Sequence, residues 1–187
     1  MATTSQPTGT TTWNIDPTHT TVEFSAKHMM ITTVKGRFRD VTGSITIDEQ
    51  HPDRSKVDVT FKAESIDTGV PQRDGHLVSA DFLDVATHPT VTFKSKRVEG
   101  ASVESGEEFT VVGDLTIRGT TREVTLTATY EGRGRDPWGG ERISFTAKGK
   151  IDRREFGLTW NQALETGGIL VSNDIKINIE AQAVRAA

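Results

Sequence analysis

The chain has 187 residues, a net charge of −4, 34% hydrophobic and 26% charged residues, and no cysteine. That length suits one domain with a real core, and the lack of cysteine excludes disulfides, thiol nucleophiles and thiolate metal sites. The acidic balance argues against nucleic-acid or anionic-membrane partners, which are usually met by a basic face.

Residues 1–10, rich in Thr, Ser, Gly and Pro, read as a flexible tail. The domain spans residues 11–187, with structure expected from about Trp13. The opening segment has no basic region followed by an apolar one, and no apolar run approaches a membrane span, so a soluble, cytoplasmic protein is expected.

From Trp13 onward the dominant signal is a period of two. Val22, Phe24, Ala26 and His28 share one face of a strand, with Thr21, Glu23, Ser25 and Lys27 on the other. Val34, Gly36 and Phe38 repeat the pattern, followed by Ile45 and Ile47, then by Val57, Val59 and Phe61. Pro71 to Asp84 breaks it. There Leu77, Val78, Phe82 and Leu83 stand at helical spacing, which predicts a short helix or a pair of turns ended before Pro89.

Alternation returns at Val91, Phe93 and Ser95, and continues through Val111 to Ile117, Val124 to Tyr130, Ile143 to Gly149 and Val171 to Ile179. The segments EQHPDRS, EGASVESGEE, RGTT and RGRDPWGG supply turns between them. About eight one-faced strands joined by short turns predict an all-β, antiparallel meander, in a barrel or a sandwich. The inward face mixes large apolar residues with Gly36, Gly113, Gly149, Ala26, Ala128 and Ala147. These small residues point either to a cavity for one small ligand or, for the glycines, to bulges and barrel corners.

Chemistry-bearing patterns are sparse. The five histidines lack metal-ligand spacing, and no G-x-S-x-G elbow or other poised nucleophile is present. Asp81 and Asp84 read as solvated helix-surface acids. GRGRDPWGG lacks the strand, loop and helix context of a phosphate loop. His28 is either a hydrogen-bonded core histidine or a ligand contact. Phe156 and Trp160 either cover one barrel end or line its entrance.

Taken in order, WNIDPTHTTVEFSAKHMMITTVKGRF, GSITID, SADFLDVATHPTVTF, GDLTIRGTTREVTL and IDRREFGL closely resemble the YceI-like family of polyisoprenoid-binding proteins, from Trp13 to about Ala181. The resemblance implies an eight-stranded antiparallel lipocalin-like barrel with a short helical segment near its mouth and a long apolar cavity. It implies a polyprenyl or quinone-type isoprenoid, or a similar amphiphile, as ligand, with no cofactor, no metal and no catalytic residue. On this reading Val22, Phe24, Phe38, Phe61, Phe93, Leu115 and Phe145 form the wall. Phe82, Phe156 and Trp160 form a gate, and His28 or His76 meets the polar head. The alternatives are an enzyme acting on a lipid held in the cavity, with His28 and an acid as its proton-transfer pair, and a structural or stress-response barrel with a filled interior. The oligomeric state is left open, with a homodimer as the candidate.

Overall fold

Strand alternation and short turns produce a sheet that closes on itself. The computed structural model describes residues 9–187 except Val103. Most of the expected tail, residues 1–8, lies outside the described residues. In chain order the elements are β1 (Thr10–Ile15), β2 (Thr21–His28), β3 (Thr32–Phe38), β4 (Val41–Asp48), β5 (Lys56–Lys62), β6 (Ile66–Asp67), α1 (Pro71–Leu77), β7 (Thr90–Glu99), β8 (Glu108–Ile117), β9 (Thr120–Arg135), β10 (Glu141–Asp152) and β11 (Asp174–Arg185). Ordered strand therefore begins at Thr10, ahead of Trp13, because β1 pairs with β4 from Thr10↔Asp48 onward.

All neighbours are antiparallel. β1 and β2 are successive stretches of one wall strand, both lying along β11, with Ile15↔Ala183 and Val22↔Ile179 in register. β3 and β4 form the next wall strand in the same way, against β2 and β1. With β5 and β7–β11 these make eight wall strands in up-and-down order, and the β1–β11 pairing closes the barrel. Closure satisfies the edge amides that an open sheet would leave unpaired.

The turn chemistry is visible in the structure. Arg118 and Gly119 both adopt positive φ between β8 and β9, as a two-residue hairpin requires. In RGRDPWGG the first three residues remain in β9. The turn proper is Asp136 to Gly140, whose carboxylate accepts from the N–H groups of Trp138 and Gly140 at 3.0 and 2.8 Å. Between Pro71 and Asp84 only Pro71–Leu77 is α-helical, and the remainder is a series of turns.

The inward glycines have a different use from the one the cavity argument gave them. The ring of Phe24 covers the space over Gly36, the ring of Phe93 covers Gly113, and a methyl group of Leu126 covers Gly149. A large neighbour thus fills each vacated position, and the open interior is bordered instead by Ala26, Ala128 and Ala147. None of the described helices is long and apolar enough to cross a membrane.

Candidate functional site

Inside the barrel lies a cavity of about 590 Å³, within the range of roughly 300–1,000 Å³ usual for ligand pockets. Its wall is almost wholly apolar. Phe24, Phe38 and Phe61 form one aromatic cluster, with ring centroids 5.7 and 4.9 Å apart along the series. Phe109, Tyr130 and Phe145 form a second cluster from β8, β9 and β10, across the barrel from the first. Between them β11 presents Ile175, Ile177 and Ile179. Many of these side chains are only half-buried although they point inward, because the cavity leaves one side of each without a packing partner.

One end is capped. α1 and the turns after it place Leu77, Phe82 and Leu83 over the barrel. His76, Phe82 and Trp160 then pack mutually, with centroids 5.1 Å (His76–Phe82), 4.7 Å (His76–Trp160) and 5.3 Å (Phe82–Trp160) apart.

Beneath this cap Arg153 is 3% exposed. Its Nε donates to the carbonyl of Ser172 at 2.9 Å, and Nη1 donates to the carbonyls of Leu158 and Trp160 at 2.6 and 2.8 Å. Nη2 reaches toward Val171 and Asn173 at 3.4 Å. Burial pushes the pKa of this guanidinium below the ordinary arginine value, and carbonyl dipoles supply the compensation that a carboxylate would otherwise give. Among the described residues every buried side-chain polar atom has a partner.

At the other end, the turn end, Arg133 and Glu49 border the cavity and pair with each other at 2.7 Å. The Arg133 guanidinium lies 5.1 Å from the ring centroid of Trp13, which is fully buried and donates from Nε1 to Thr11 Oγ1 at 2.9 Å. Arg133 faces inward because a bulge opposite Ser144 and Phe145, with Gly132 at φ 144°, reverses the parity of β9 after Tyr130. Simple alternation cannot locate it.

The expected site residues divide in two. Val22, Phe24, Phe38, Phe61, Phe82, Phe93, Leu115 and Phe145 line the cavity. His28, His76, Phe156 and Trp160 do not. His28 has inward parity but stands at the last position of β2, where the chain has left the barrel, and it is exposed. His76 turns away from the interior and meets Asp81 at 2.9 Å. Phe156 is buried in the packed layer beside the cap, and Trp160 covers the outer side of Phe82. The positions expected to meet a head group, His28 and His76, and the gate position Phe156 thus stand outside the cavity lining.

The cavity residues that sequence reasoning missed include Arg153, Arg133, Glu49, Phe109, Tyr130 and the β11 isoleucines. The isoleucines carried the same alternation as the residues that were chosen. Arg153 carried no local signal, since its partners are carbonyls up to twenty positions away.

The same chain has clear relatives. The model of the YceI-like domain matches residues 13–183. A UPF0312 protein of Serratia proteamaculans is 39% identical over 168 residues, which cover 90% of this chain and 82% of that protein. Among solved structures, Burkholderia cenocepacia BcnA superposes with a TM-score of 0.77 at 22% identity, covering 90% of this chain and 99% of the other. A polyisoprenoid binding domain from Saccharophagus degradans, implicated in plant cell wall breakdown, superposes with a TM-score of 0.70 at 15% identity over 93% and 98% of the two chains. These two likenesses carry the fold alone. The family model and the Serratia protein carry more: the chain belongs to the YceI-like family.

Proposed function

We propose that the barrel binds one long apolar chain, of isoprenoid or similar amphiphilic lipid type, and carries it without altering it. The observation that supports this most is the interior itself, a continuous cavity of about 590 Å³ between two aromatic clusters and a row of isoleucines. An apolar chain entering it gains about 25 cal/mol per Å² of buried apolar surface, offset by ordering of the chain. Affinity then rises with chain length until the cavity is full. The name of the Saccharophagus protein, a polyisoprenoid binding domain on the same fold, agrees with an isoprenoid as the guest.

The state of the charged groups supports carriage without chemistry. Arg133 is engaged by Glu49, and Arg153 is spent on carbonyl oxygens. Neither His28 nor His76 reaches the cavity, which weighs against the proton-transfer pair of His28 and an acid that the enzyme reading would use. A barrel serving only as structure would have its inward side chains interdigitated, and here they leave a void.

The test is organic extraction and mass spectrometry of protein purified from cells, followed by incubation of the stripped protein with polyprenols and retinol. Recovery or uptake of an unaltered chain supports the proposal. Protein that carries no lipid and takes up none overturns it, and a chemically altered product would transfer the protein to the enzymes.

A further inference from the structure

Large apolar side chains exposed to solvent are unevenly placed on this barrel. Among the described residues Met29, Met30, Ile31 and Val70 stand at the capped end, and Trp138 alone stands at the turn end. Three of them are consecutive. Met29, Met30 and Ile31 form the turn between β2 and β3, where Met30 is 63% and Ile31 77% exposed. This hairpin extends past the barrel: β3 pairs with β6 only at Arg37 and Phe38, so Thr32 to Gly36 have β2 on one side alone.

The backbone makes the choice of residues more telling. Met29 and Met30 sit at φ 52° and 64°, a left-handed conformation that glycine or asparagine adopts with little steric cost and a bulky side chain does not. Folding alone would favour Asn and Gly at such a turn. Local strain accepted for side chains that then remain in solvent indicates that another medium covers them.

The tip is also joined to the cap. The Met29 N–H donates to the Leu170 carbonyl at 2.8 Å, and the Met30 sulfur lies where a side chain at Gly168 would stand. The same segment, residues 158–173, is the one that Arg153 holds and that carries Trp160 over Phe82.

We propose that the capped end docks on a lipid bilayer, with Met29, Met30 and Ile31 inserted among the acyl chains, so that a lipid passes between membrane and cavity at this end. A convex apolar tip matches a yielding hydrocarbon medium. Lys27 and Lys35 follow on the two strands of the hairpin, two residues before Met29 and four after Ile31, within reach of lipid phosphates once the tip inserts, and Lys35 pairs with Glu23 at 3.6 Å. Lys27 has no carboxylate within ion-pair distance among the described residues, and its Nζ donates only to Thr33 Oγ1 at 2.7 Å. With a net charge of −4 the protein relies on apolar insertion rather than on attraction to anionic lipid, so docking tolerates salt. The proposal rests on the lipid-carrier reading for its purpose, but not for its test.

The test is flotation of the full chain with phosphatidylcholine vesicles, run beside retinol uptake from solution and thermal unfolding. The tip variant is Met29→Asn with Met30→Gly and Ile31→Ser, which suits the turn and should keep or raise Tm. Trp138→Ser is the control at the far end. Wild type and W138S should float alike, and the tip variant should bind vesicles about tenfold or more weakly, with retinol uptake unchanged. Equal flotation of the tip variant, or failure of wild type to float while it still takes up retinol, overturns the proposal. So does conversion of a wild-type dimer to monomer by the tip variant without any flotation, since the tip would then be a contact between copies. Flotation lost in the tip variant, with no retinol uptake by any form, would leave docking standing and remove the carrier reading instead.

Discussion

Arg153 Nη1 donates to the carbonyl oxygen of Trp160 at 2.8 Å, so one buried cation in the turn after β10 sets the position of the cap's indole. The other carbonyls it serves, at Leu158, Val171 and Ser172, lie on the same returning segment. Replacing it by leucine removes the side-chain donor from the Leu158, Trp160 and Ser172 oxygens, while Asn161 Nδ2 still donates to Val171 at 2.8 Å. Arg153→Leu should lower stability by about 3 kcal/mol or more in urea unfolding. Hydrogen exchange should rise first in residues 158–173, and an unchanged exchange pattern there would contradict the assigned role.

The close approach of Phe93 to Gly113 makes a second prediction. A β-carbon at Gly113 would stand 2.6 Å from the Phe93 ring and from the Lys94 carbonyl. Gly113→Ala should therefore destabilise the barrel by about 1–3 kcal/mol. Combining it with Phe93→Leu should recover part of that loss, which a double-mutant cycle measures as coupling. Additive effects would mean that the ring is not what occupies the site.

Cavity volume, rather than overall hydrophobicity, should govern uptake. Ala147 lies on the wall beside Phe145 and Ile179, and it borders the void. Ala147→Phe adds apolar volume to empty space, so the fold should persist with little change in Tm. Binding of a long polyprenol should fall about tenfold or more as the buried contact area shrinks. Retention of full affinity, read by fluorescence competition with retinol, would place the guest elsewhere.

Acid stability should follow one cluster on the outer wall and one at the cap. Arg142 bridges Asp16 at 2.6 Å and Asp136 at 2.9 Å. Hydrogen bonding from Thr18, with help from Arg142 and His19, holds the Asp16 carboxyl well below the usual carboxylate range, and Arg142 does the same for Asp136. Arg154 lowers Asp152 to about 2. All three are depressed in the folded state, so their contribution is fully present above the ordinary value of 3.8 and is lost as the pH falls through the folded values. Tm should stay level from about pH 7 to 5 and drop below about pH 4, and Asp16→Asn should flatten the drop. A decline that starts near neutrality would implicate other groups.

Much of this was legible in the chain. Period-two alternation located the inward faces of Val22 to Phe24, Val57 to Phe61 and Val91 to Phe93, because side chains on a strand can face only two ways. The break at Pro71 to Asp84 announced the cap for the same reason. Where the parity shifted or the strand left the barrel, that rule failed. Arg133 entered the cavity through a bulge, and His28 lay outside it despite its inward parity.

The up-and-down order of one-faced strands and most of the apolar wall follow from local periodicity and turn chemistry alone. Which small residues border empty space, which neighbour's side chain covers each inward glycine, and how Arg153 gathers distant carbonyls are set in three dimensions. Those outcomes depend on closure of the sheet, which brings together groups whose separation along the chain carries no local signal.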